Sequence, residues 1–365
     1  MSTTTTTTPL PATSKSLTFL APATPPHVIS TPLAAPAASE LVVKVHAAAI
    51  NPVDIQLWNS ALLGWLAGKK EKGIGRDYSG TVVAVGAGVK GWKEGDEVFG
   101  LISRPTGEGT FSEYVHPIIG KDPIAKKPTC WTHEMAAAVP LVVLTAFSCL
   151  DWLPADKKKN GFGRVVVAGA SGGVGMWCVQ LAKKLYDCNV TGICSAKNAD
   201  FVRQMGADEI VDYTSEFVSQ ALLENLPAGR QYDLYIDCVG GTELFADLHA
   251  LLHPQAAYVT IVGDKTSRTA MGGPLTYLYT PAQVLRFLKG LLWGPRYANV
   301  LLYAKSELLE QVAGLAERGE VEVVVQEVVR GLLLEEEGGS EEAWKRVYEF
   351  MEGGRVRGKI VVAIE

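Results

Sequence analysis

The sequence predicts an α/β protein in which a doubly wound parallel sheet is joined to a second, β-rich domain. Residues 164–175 read as a buried strand, a glycine-rich turn and the start of a helix. Strands and helices then alternate with short connections as far as residue 305, which is typical of a parallel sheet covered by helices. Residues 15–139 read instead as short apolar strands separated by proline and glycine turns.

Composition permits a large core and excludes several classes of protein. The chain has 365 residues, of which 47% are hydrophobic and 20% are charged, as in ordinary globular proteins. A net charge of -5 and the absence of a basic run argue against a nucleic-acid partner. The 6 cysteines form no CxxC pair, which favours reduced thiols over a disulfide framework. No apolar run reaches the length of a membrane-spanning helix.

Three parts of the chain can be separated by composition and pattern. Residues 1–14 are low-complexity and are predicted to be a disordered tail without the features of a secretory signal. Residues 15–139 form the β-rich domain, which residues 306–365 complete, and residues 140–305 form the parallel-sheet domain. We expect a cytoplasmic protein. The alternative is a mitochondrial one, because a serine- and threonine-rich start can contain an organelle signal.

The glycine-rich turn is predicted to hold the pyrophosphate of a dinucleotide. A strand, a tight turn and a helix place backbone N–H groups and the positive end of the helix where a pyrophosphate can lie. This context gives the motif its weight, since glycine spacing alone is weak evidence. The alternative is a glycine-rich loop of another kind of α/β protein. The residues assigned to the site are Ala170, Ser171, Gly172, Gly173, Val174 and Gly175.

The end of the following strand predicts which nicotinamide coenzyme binds. Folds that bind NAD place an Asp or Glu about 20 residues after the glycines, on the ribose hydroxyls. Here strand 189–194 is followed by Ser195 and Lys197, which can donate to a 2′-phosphate and pair with it, and Tyr213 is a third candidate. The sequence therefore predicts NADPH. The alternative is that Ser195 and Lys197 only cap the helix that follows.

The segment 275–305 is unusually apolar and aromatic, with Arg286, Lys289 and Arg296 interspersed. We interpret it as a buried helix followed by an edge strand, 298–303, that pairs with another subunit. The alternative is an interfacial patch that contacts a lipid surface or an apolar substrate tail. Three basic residues among so many apolar ones favour the first interpretation.

Eight motifs together resemble those of the zinc-independent medium-chain dehydrogenases/reductases, in particular the quinone oxidoreductases and the reticulon-4-interacting-protein-1 type. The motifs are AAAINPVD (47–54), GRDYSG (75–80), KEGDEVFG (93–100), LVVLTAF (141–147), GASGGVG (169–175), MGADEIVDY (205–213), DCVGG (237–241) and RGKIVV (357–362). The resemblance implies a GroES-like catalytic domain split around a Rossmann domain. It also implies an NADPH-dependent reductase of quinones or activated alkenes that forms a homodimer.

The same resemblance implies site residues. Asn51 and Thr145 would lie near the nicotinamide ribose and amide, and Lys359 would approach the nicotinamide from the last strand. Asp54 would orient Asn51, or cap the helix that follows it. Simpler alternatives are a turn at Asn51, a helix-facing hydroxyl at Thr145 and a solvated cation at Lys359. Further residues implied along the cofactor are Val239, Gly240 and Gly263.

No zinc site is predicted. Zinc alcohol dehydrogenases of the superfamily hold the metal with a Cys, the His of a GHE motif and a further Cys or His. Asn51 stands at the cysteine position, and Arg76 and Asp77 replace the His and Glu. Asn is a poor zinc ligand and Arg cannot deprotonate to become one, so we interpret Arg76 and Asp77 as a structural ion pair. Without a Lewis acid, we expect hydride transfer to a quinone or enone, whose own conjugation takes up the charge.

Two other functions stay open. Enoyl-thioester reductases of the superfamily carry a tyrosine shortly after the NPxD motif, but the nearest one here is Tyr78, which would have to act from an unexpected position. A non-catalytic partner protein that only binds NADPH is the second alternative. We expect an apolar or quinone-like substrate. Residues that either line its pocket or form a helix on the core are Trp58, Leu62, Leu63, Trp65 and Leu66.

Overall fold

Two large sheets organise the computed structural model of the chain, one mainly antiparallel and one parallel. The structure describes residues 9–61, 68–227, 229–265, 273–278, 280–334 and 339–364. The predicted α/β class, with a GroES-like domain and a Rossmann domain, is confirmed. Within the described ranges, no helix combines the length and apolarity needed to cross a membrane.

Among the described residues, the β-rich domain has ten strands drawn from both ends of the chain. They are β1 (Thr13–Phe19), β2 (His27–Pro32), β3 (Leu41–Ala49), β4 (Lys72–Gly73), β5 (Asp77–Val85), β6 (Glu97–Leu101), β7 (Tyr114–Val115), β8 (Ile124–Lys126), β15 (Val325–Val329) and β16 (Lys359–Ala363). One sheet has the order β2-β1-β4, and the larger one has the order β15-β16-β3-β5-β6-β8, with β7 also on β3. Because β16 pairs antiparallel with β3, the last strand of the chain lies beside the strand that ends just before Asn51.

The described part of the Rossmann domain has six parallel strands. They are β9 (Arg164–Ala168), β10 (Asn189–Cys194), β11 (Glu209–Asp212), β12 (Tyr232–Asp237), β13 (Leu252–Thr260) and β14 (Arg296–Asn299). Their order is β11-β10-β9-β12-β13-β14, so the direction of winding reverses between β9 and β12. Ligands of doubly wound sheets bind outside the carboxyl ends of the strands at this switch point.

A central helix joins the two domains. The helices are α1 (Pro52–Asn59), α2 (His133–Ala137), α3 (Pro140–Leu150), α4 (Ala155–Asn160), α5 (Gly173–Tyr186), α6 (Ala199–Gln204), α7 (Val218–Glu224), α8 (Leu248–Leu251), α9 (Pro281–Trp293), α10 (Ser306–Glu317) and α11 (Gly339–Gly353). α3 is buried along almost its whole length. Its side chains belong to one hydrophobic cluster with Phe99 of β6 and Trp177 of α5, so the core continues from one domain into the other.

Several expectations from the sequence need correction. The predicted disordered tail, 1–14, is too long, because Thr13 and Ser14 already pair with β2; residues 1–8 lie outside the described part. The edge strand expected at 298–303 is β14, which begins two residues earlier and ends four residues earlier; Tyr303 bonds instead with Ser148 and Asp151 near the end of α3.

The helix expected to be buried in segment 275–305 is not buried, since α9 buries only Gln283 and Gly290. Trp58 of the expected apolar group packs edge-on against Trp344 and Tyr348, on the core of the β-rich domain. The other members of that group, Leu62, Leu63, Trp65 and Leu66, lie outside the described residues.

Candidate active site

A turn at the end of β3 places the first functional side chain. Asn51 precedes Pro52, which favours an extended backbone before the proline and starts α1 with a residue that needs no N–H partner. Asn51 accordingly is extended, with φ -129° and ψ 155°. Its backbone N–H donates to the Asp54 carboxylate at 2.8 Å, so Asp54 fixes the start of the helix. The Asn51 side chain is thereby directed towards the first residue of β5.

A buried polar cluster lies at this point, where β16 enters the sheet. The Nζ of Lys359 donates to the side-chain oxygen of Asn51 at 2.6 Å and to the carbonyl oxygen of Ile50 at 2.8 Å. It lies 3.4 Å from Oδ2 of Asp77. A lysine ammonium has three hydrogens to donate, and three acceptors surround this one. Lys359, Asn51 and Asp77 are all buried.

Asp77 connects the cluster to the helix that joins the domains. Its Oδ2 accepts from the Asn51 amide at 2.8 Å, and its Oδ1 accepts from the backbone N–H of Leu141, in the first turn of α3, at 2.8 Å. A carboxylate at a helix N-terminus is stabilised by the helix dipole. Burial raises the pKa of Asp77 and lowers the pKa of Lys359, while the attraction between the two opposes both shifts.

The ion pair predicted between Arg76 and Asp77 is not the one that forms. Arg76 lies 3.8 Å from Asp54 and donates to the carbonyl oxygens of Ile102 and Arg104, whereas Asp77 pairs with Lys359. Successive residues of an extended chain point to opposite sides, which separates neighbours in sequence. Burial raises the pKa of Asp54 to about 6, and Arg76 opposes that rise.

Two further candidates lie near the cluster in sequence or in space. Thr145 is buried one turn along α3 from Leu141, and its hydroxyl donates to the Leu141 carbonyl oxygen at 2.8 Å. Tyr78 follows Asp77 on β5 and therefore points the other way, into the core of the β-rich domain. Its hydroxyl has no hydrogen-bond partner within the described part of the chain, and burial raises its pKa well above the ordinary value. The structure does not bring Tyr78 to the cluster.

The glycine-rich turn has the shape of an anion site. Gly172 precedes α5, no described side chain caps the helix, and its first turn contains no acidic residue. A Cβ on Gly175 would lie 2.1 Å from the Gly169 carbonyl oxygen, so only glycine lets the helix start this close to β9. A Cβ on Gly172 would meet nothing closer than that same oxygen at 3.4 Å. The uncapped N-terminus of α5 fits a pyrophosphate; the turn is completed by Ala170, Ser171, Gly173 and Val174.

The glycine-rich turn and the polar cluster adjoin each other. The backbone N–H of Gly358 donates to the Ser171 carbonyl oxygen at 3.0 Å, and Gly358 forms a parallel bridge with Gly172. A Cβ on Gly173 would lie 3.2 Å from the Cδ of Lys359. The Lys359 side chain therefore runs from the turn to Asn51, and one short backbone segment serves both parts of the site.

The corner predicted to receive a 2′-phosphate contains a carboxylate that sequence reasoning missed. Ser195 and Lys197 follow β10, Lys197 is exposed, and Tyr213 is 59% exposed after β11. Asp212 ends β11 directly beside the end of β10. It accepts from the side chain and backbone of Thr214, from Ser215 and from the backbone of Ala196, and the Thr214 contacts chiefly lower its pKa. The prediction named Tyr213 after β11 but looked for a carboxylate only at the end of the strand that Ser195 follows.

A second carboxylate that sequence reasoning missed is Asp237, on the strand next to β9. Asp237, at the end of β12, accepts the backbone N–H groups of Val239 and Gly240 at 2.9 and 2.8 Å. It also accepts from the Thr260 hydroxyl at 2.8 Å, and that hydroxyl accepts from the backbone N–H of Gly263. The three residues expected along the cofactor are therefore connected by one buried carboxylate. Burial raises the pKa of Asp237.

Comparisons with known proteins identify the family. The alcohol dehydrogenase GroES-like domain matches residues 37–129, and the zinc-binding dehydrogenase domain matches residues 205–362. The chain is 34% identical over 305 residues to the human NAD(P)H oxidoreductase RTN4IP1, mitochondrial, covering 79% of this chain and 75% of that protein. It is 31% identical to the chloroplast envelope quinone oxidoreductase homolog of Arabidopsis thaliana, covering 92% of both.

Solved structures agree in fold. The quinone oxidoreductase from Coxiella burnetii superposes with a TM-score of 0.76 at 24% identity, over 97% of this chain and 100% of that one. The chain belongs to the medium-chain dehydrogenases/reductases, in the group of RTN4IP1-type NAD(P)H oxidoreductases and quinone oxidoreductase homologues. It is an oxidoreductase that uses a nicotinamide coenzyme.

Proposed function

We propose that the chain reduces a quinone or an activated alkene with hydride from NADPH and without zinc. The observation that carries the proposal is the contact of Lys359 with Asn51 and Asp77. Asn51 and Asp77 stand where zinc enzymes of the superfamily place metal-site residues, and a cation of the chain itself lies between them. Among the described residues, no three His, Cys, Asp or Glu side chains are grouped so as to hold a metal ion.

The residues of the cluster favour an acceptor whose own conjugated system takes up the negative charge after hydride transfer. Bound NADPH supplies the hydride. Lys359 directs its hydrogens to the chain, so its part is to fix the Asn51 amide, with the oxygen towards Nζ and the nitrogen towards Asp77. Burial of this network excludes water from the junction of the two domains. Such a site can orient a carbonyl compound without replacing the Lewis acid that alcohol oxidation requires.

Preference for NADPH is part of the proposal. Ser195, Lys197 and Tyr213 follow the ends of β10 and β11, the two strands beside β9 on the adenosine side of the sheet. A lysine ammonium attracts a 2′-phosphate, and a serine hydroxyl can donate to it. The Asp212 carboxylate opposes this attraction, but four hydrogen bonds from the chain already occupy its oxygens, three from Thr214 and Ser215 and one from the backbone of Ala196.

A steady-state acceptor panel tests the proposal. We expect oxidation of NADPH with a small quinone or enone, weaker activity with NADH, and no turnover of an enoyl thioester, because Tyr78 lies away from the cluster. Efficient reduction of the enoyl thioester with no reaction of quinones would replace the proposed substrate class. Tight binding of NADPH without hydride transfer to any acceptor would show a non-catalytic binding protein.

Assembly and compartment are proposals as well. β14 is the edge strand of the Rossmann sheet, where a second copy can add its own β14 to form a homodimer. The RTN4IP1 relative is named as a mitochondrial protein, which supports the mitochondrion as the alternative to the cytoplasm. Sedimentation of the full chain and fractionation of cells that express it test these two proposals.

A further inference from the structure

Helix α9 presents its apolar side chains to solvent. Val284, Leu285, Leu288, Leu291 and Leu292 follow the spacing that places residues on one face of a helix. These five side chains are 37–69% exposed, and Trp293 at the end of the helix is 71% exposed. We call these six residues the α9 outer face.

Polar contacts on the opposite side fix this orientation. Arg286 donates to both oxygens of Asp264, at 2.5 and 2.8 Å, and lies 3.8 Å from the centre of the Phe245 ring. Gln283 is buried and accepts from Asn299 at 2.6 Å. Rotating the helix to bury its leucines would break these contacts and leave polar groups unpaired. The exposure of the outer face is therefore built into the packing of α9.

The charge of the chain around the α9 outer face indicates which kind of partner covers that face. Residues 264–306 include six Lys or Arg and a single acidic residue, Asp264, which pairs with Arg286, in a chain whose net charge is -5. Lys289 lies on the exposed side of α9, next to the leucines. Basic and apolar residues together, with a tryptophan, are typical of helices that lie in the interface of an anionic bilayer. A second copy that packed its own α9 on this face would bring its Lys289 close to this one, with like-charge repulsion.

We propose that the α9 outer face inserts into the headgroup region of an anionic phospholipid bilayer and makes the chain a peripheral membrane protein. α9 has 13 residues, fewer than the roughly 20 that a membrane-spanning helix needs, so it would lie in the plane of the membrane. The proposal rests on the surface of the Rossmann domain and does not depend on which acceptor is reduced.

Vesicle flotation of the full chain tests the proposal. The probes are phosphatidylcholine vesicles with and without phosphatidylglycerol. The chain should float with the anionic vesicles, and high salt should weaken binding. The double variant Leu288→Gln/Leu291→Gln should lower binding about tenfold or more, since two leucines lose their burial in lipid. The matched control is Phe217→Gln, which replaces a side chain that is 85% exposed outside α9, and it should bind like the unmodified chain.

Two results would overturn the proposal. One is failure of the unmodified chain to float with anionic vesicles, and the other is equal flotation of the double variant. If the unmodified chain does not float, sedimentation shows whether a second copy covers the face instead. In that case the unmodified chain should be a dimer and the double variant a monomer. Turnover of a water-soluble quinone, which should be equal in all variants, shows that each is folded.

Discussion

Opposite charges lie at the corner where the adenosine end of the coenzyme is predicted to bind. Lys197 is exposed and can pair with a 2′-phosphate, whereas the Asp212 carboxylate, whose pKa is lowered by its hydrogen bonds, carries the same sign as the phosphate. Water and salt screen both interactions because the groups are exposed. Coenzyme preference should therefore depend on the balance between two side chains on neighbouring strands.

Substitution of the two residues should move the preference in opposite directions. Lys197→Ala should lower the ratio of kcat/KM for NADPH to that for NADH. The decrease should correspond to a free-energy loss of roughly 1–3 kcal/mol, a typical cost for losing a hydrogen bond to a charged group. Asp212→Asn should raise the ratio, because it removes the repulsion. Lys159→Ala, at an exposed lysine of α4, is the matched control. An unchanged ratio in both test variants would remove these residues from the coenzyme site.

Burial of Asp54 should make stability depend on pH. Its pKa is raised from 3.8 to about 6, so the folded state binds a proton more tightly than the unfolded state. The stability that this proton gives is complete below about pH 4 and is lost as the pH rises through about 6. A rise of about two units corresponds to at most about 3 kcal/mol.

The variant Asp54→Asn isolates this effect, since it keeps an acceptor for the Asn51 N–H but cannot ionise. Urea unfolding at about pH 4 and about pH 6.5 should show a smaller loss of free energy of unfolding with rising pH in the variant than in the unmodified chain. The same pH dependence in both proteins would show that Asp54 titrates alike in the folded and unfolded states.

The residues of the candidate site were partly predictable from the sequence. The family resemblance implies that Asp54 orients Asn51 and that Asn51 and Lys359 both lie near the nicotinamide, and the structure brings the three together although Asn51 and Lys359 are 308 positions apart. The role of Asp77 was missed because its neighbour Arg76 offered an obvious partner, whereas the extended strand turns the two side chains apart. Asp237 carried a readable signal, a carboxylate at the end of a buried strand just before two glycines.

Among the elements, strong periodicity and clear turn residues gave accurate predictions. Apolar spacing in the sequence predicts a helix over 174–186, and the structure has α5 there, beginning one residue earlier at the glycine turn. The sequence also predicts a helix over 242–252, where the structure has a 3-10 turn, Glu243–Ala246, followed by the four-residue α8. The backbone of Asp247 between them is not helical, with φ -100° and ψ 4°, and apolar periodicity does not reveal such a break.

Helix α9 shows what periodicity leaves undetermined. The apolar stripe of an amphipathic helix is readable from sequence, but its direction relative to the core depends on tertiary contacts. Here Gln283 and Arg286 find buried partners in Asn299 and Asp264, which lie on other elements. The prediction of a buried helix assumed that the apolar stripe would face inwards.

Gly175 should be essential to the junction of β9 and α5. The variant Gly175→Ala would place a methyl group 2.1 Å from the Gly169 carbonyl oxygen, so the turn must shift. We expect a loss of stability of about 1–3 kcal/mol, as for other overpacked sites, and weaker binding of NADPH. Thermal unfolding and fluorescence titration with NADPH measure the two effects.

Gly353→Ala is the matched control for that substitution. Gly353 ends α11, and a Cβ there would have nothing within 4 Å. Stability should change by no more than about 1 kcal/mol, in the stabilising direction expected for alanine in a helix. Equal effects of the two substitutions would contradict the close approach of α5 to the glycine turn.

In the whole molecule, the two ends of the chain and the Rossmann domain meet at one place. β16 brings Lys359 to Asn51. Asp77 accepts a hydrogen bond from a backbone N–H in the first turn of α3, and the backbone N–H of Gly358 donates to the glycine-rich turn. The turn proposed to hold the coenzyme and the cluster proposed to orient the acceptor are therefore parts of one connected network. The Lys359 ammonium supplies the positive charge at its centre.

Quinone reduction by metal-stripped protein tests the central proposal, hydride transfer without zinc, most directly. The full chain would be treated with EDTA and 1,10-phenanthroline, and its metal content measured before NADPH oxidation is followed with a small quinone. The rate should equal that of untreated protein, and added zinc should not increase it. Loss of activity on chelation that zinc restores would contradict the proposed zinc-free site.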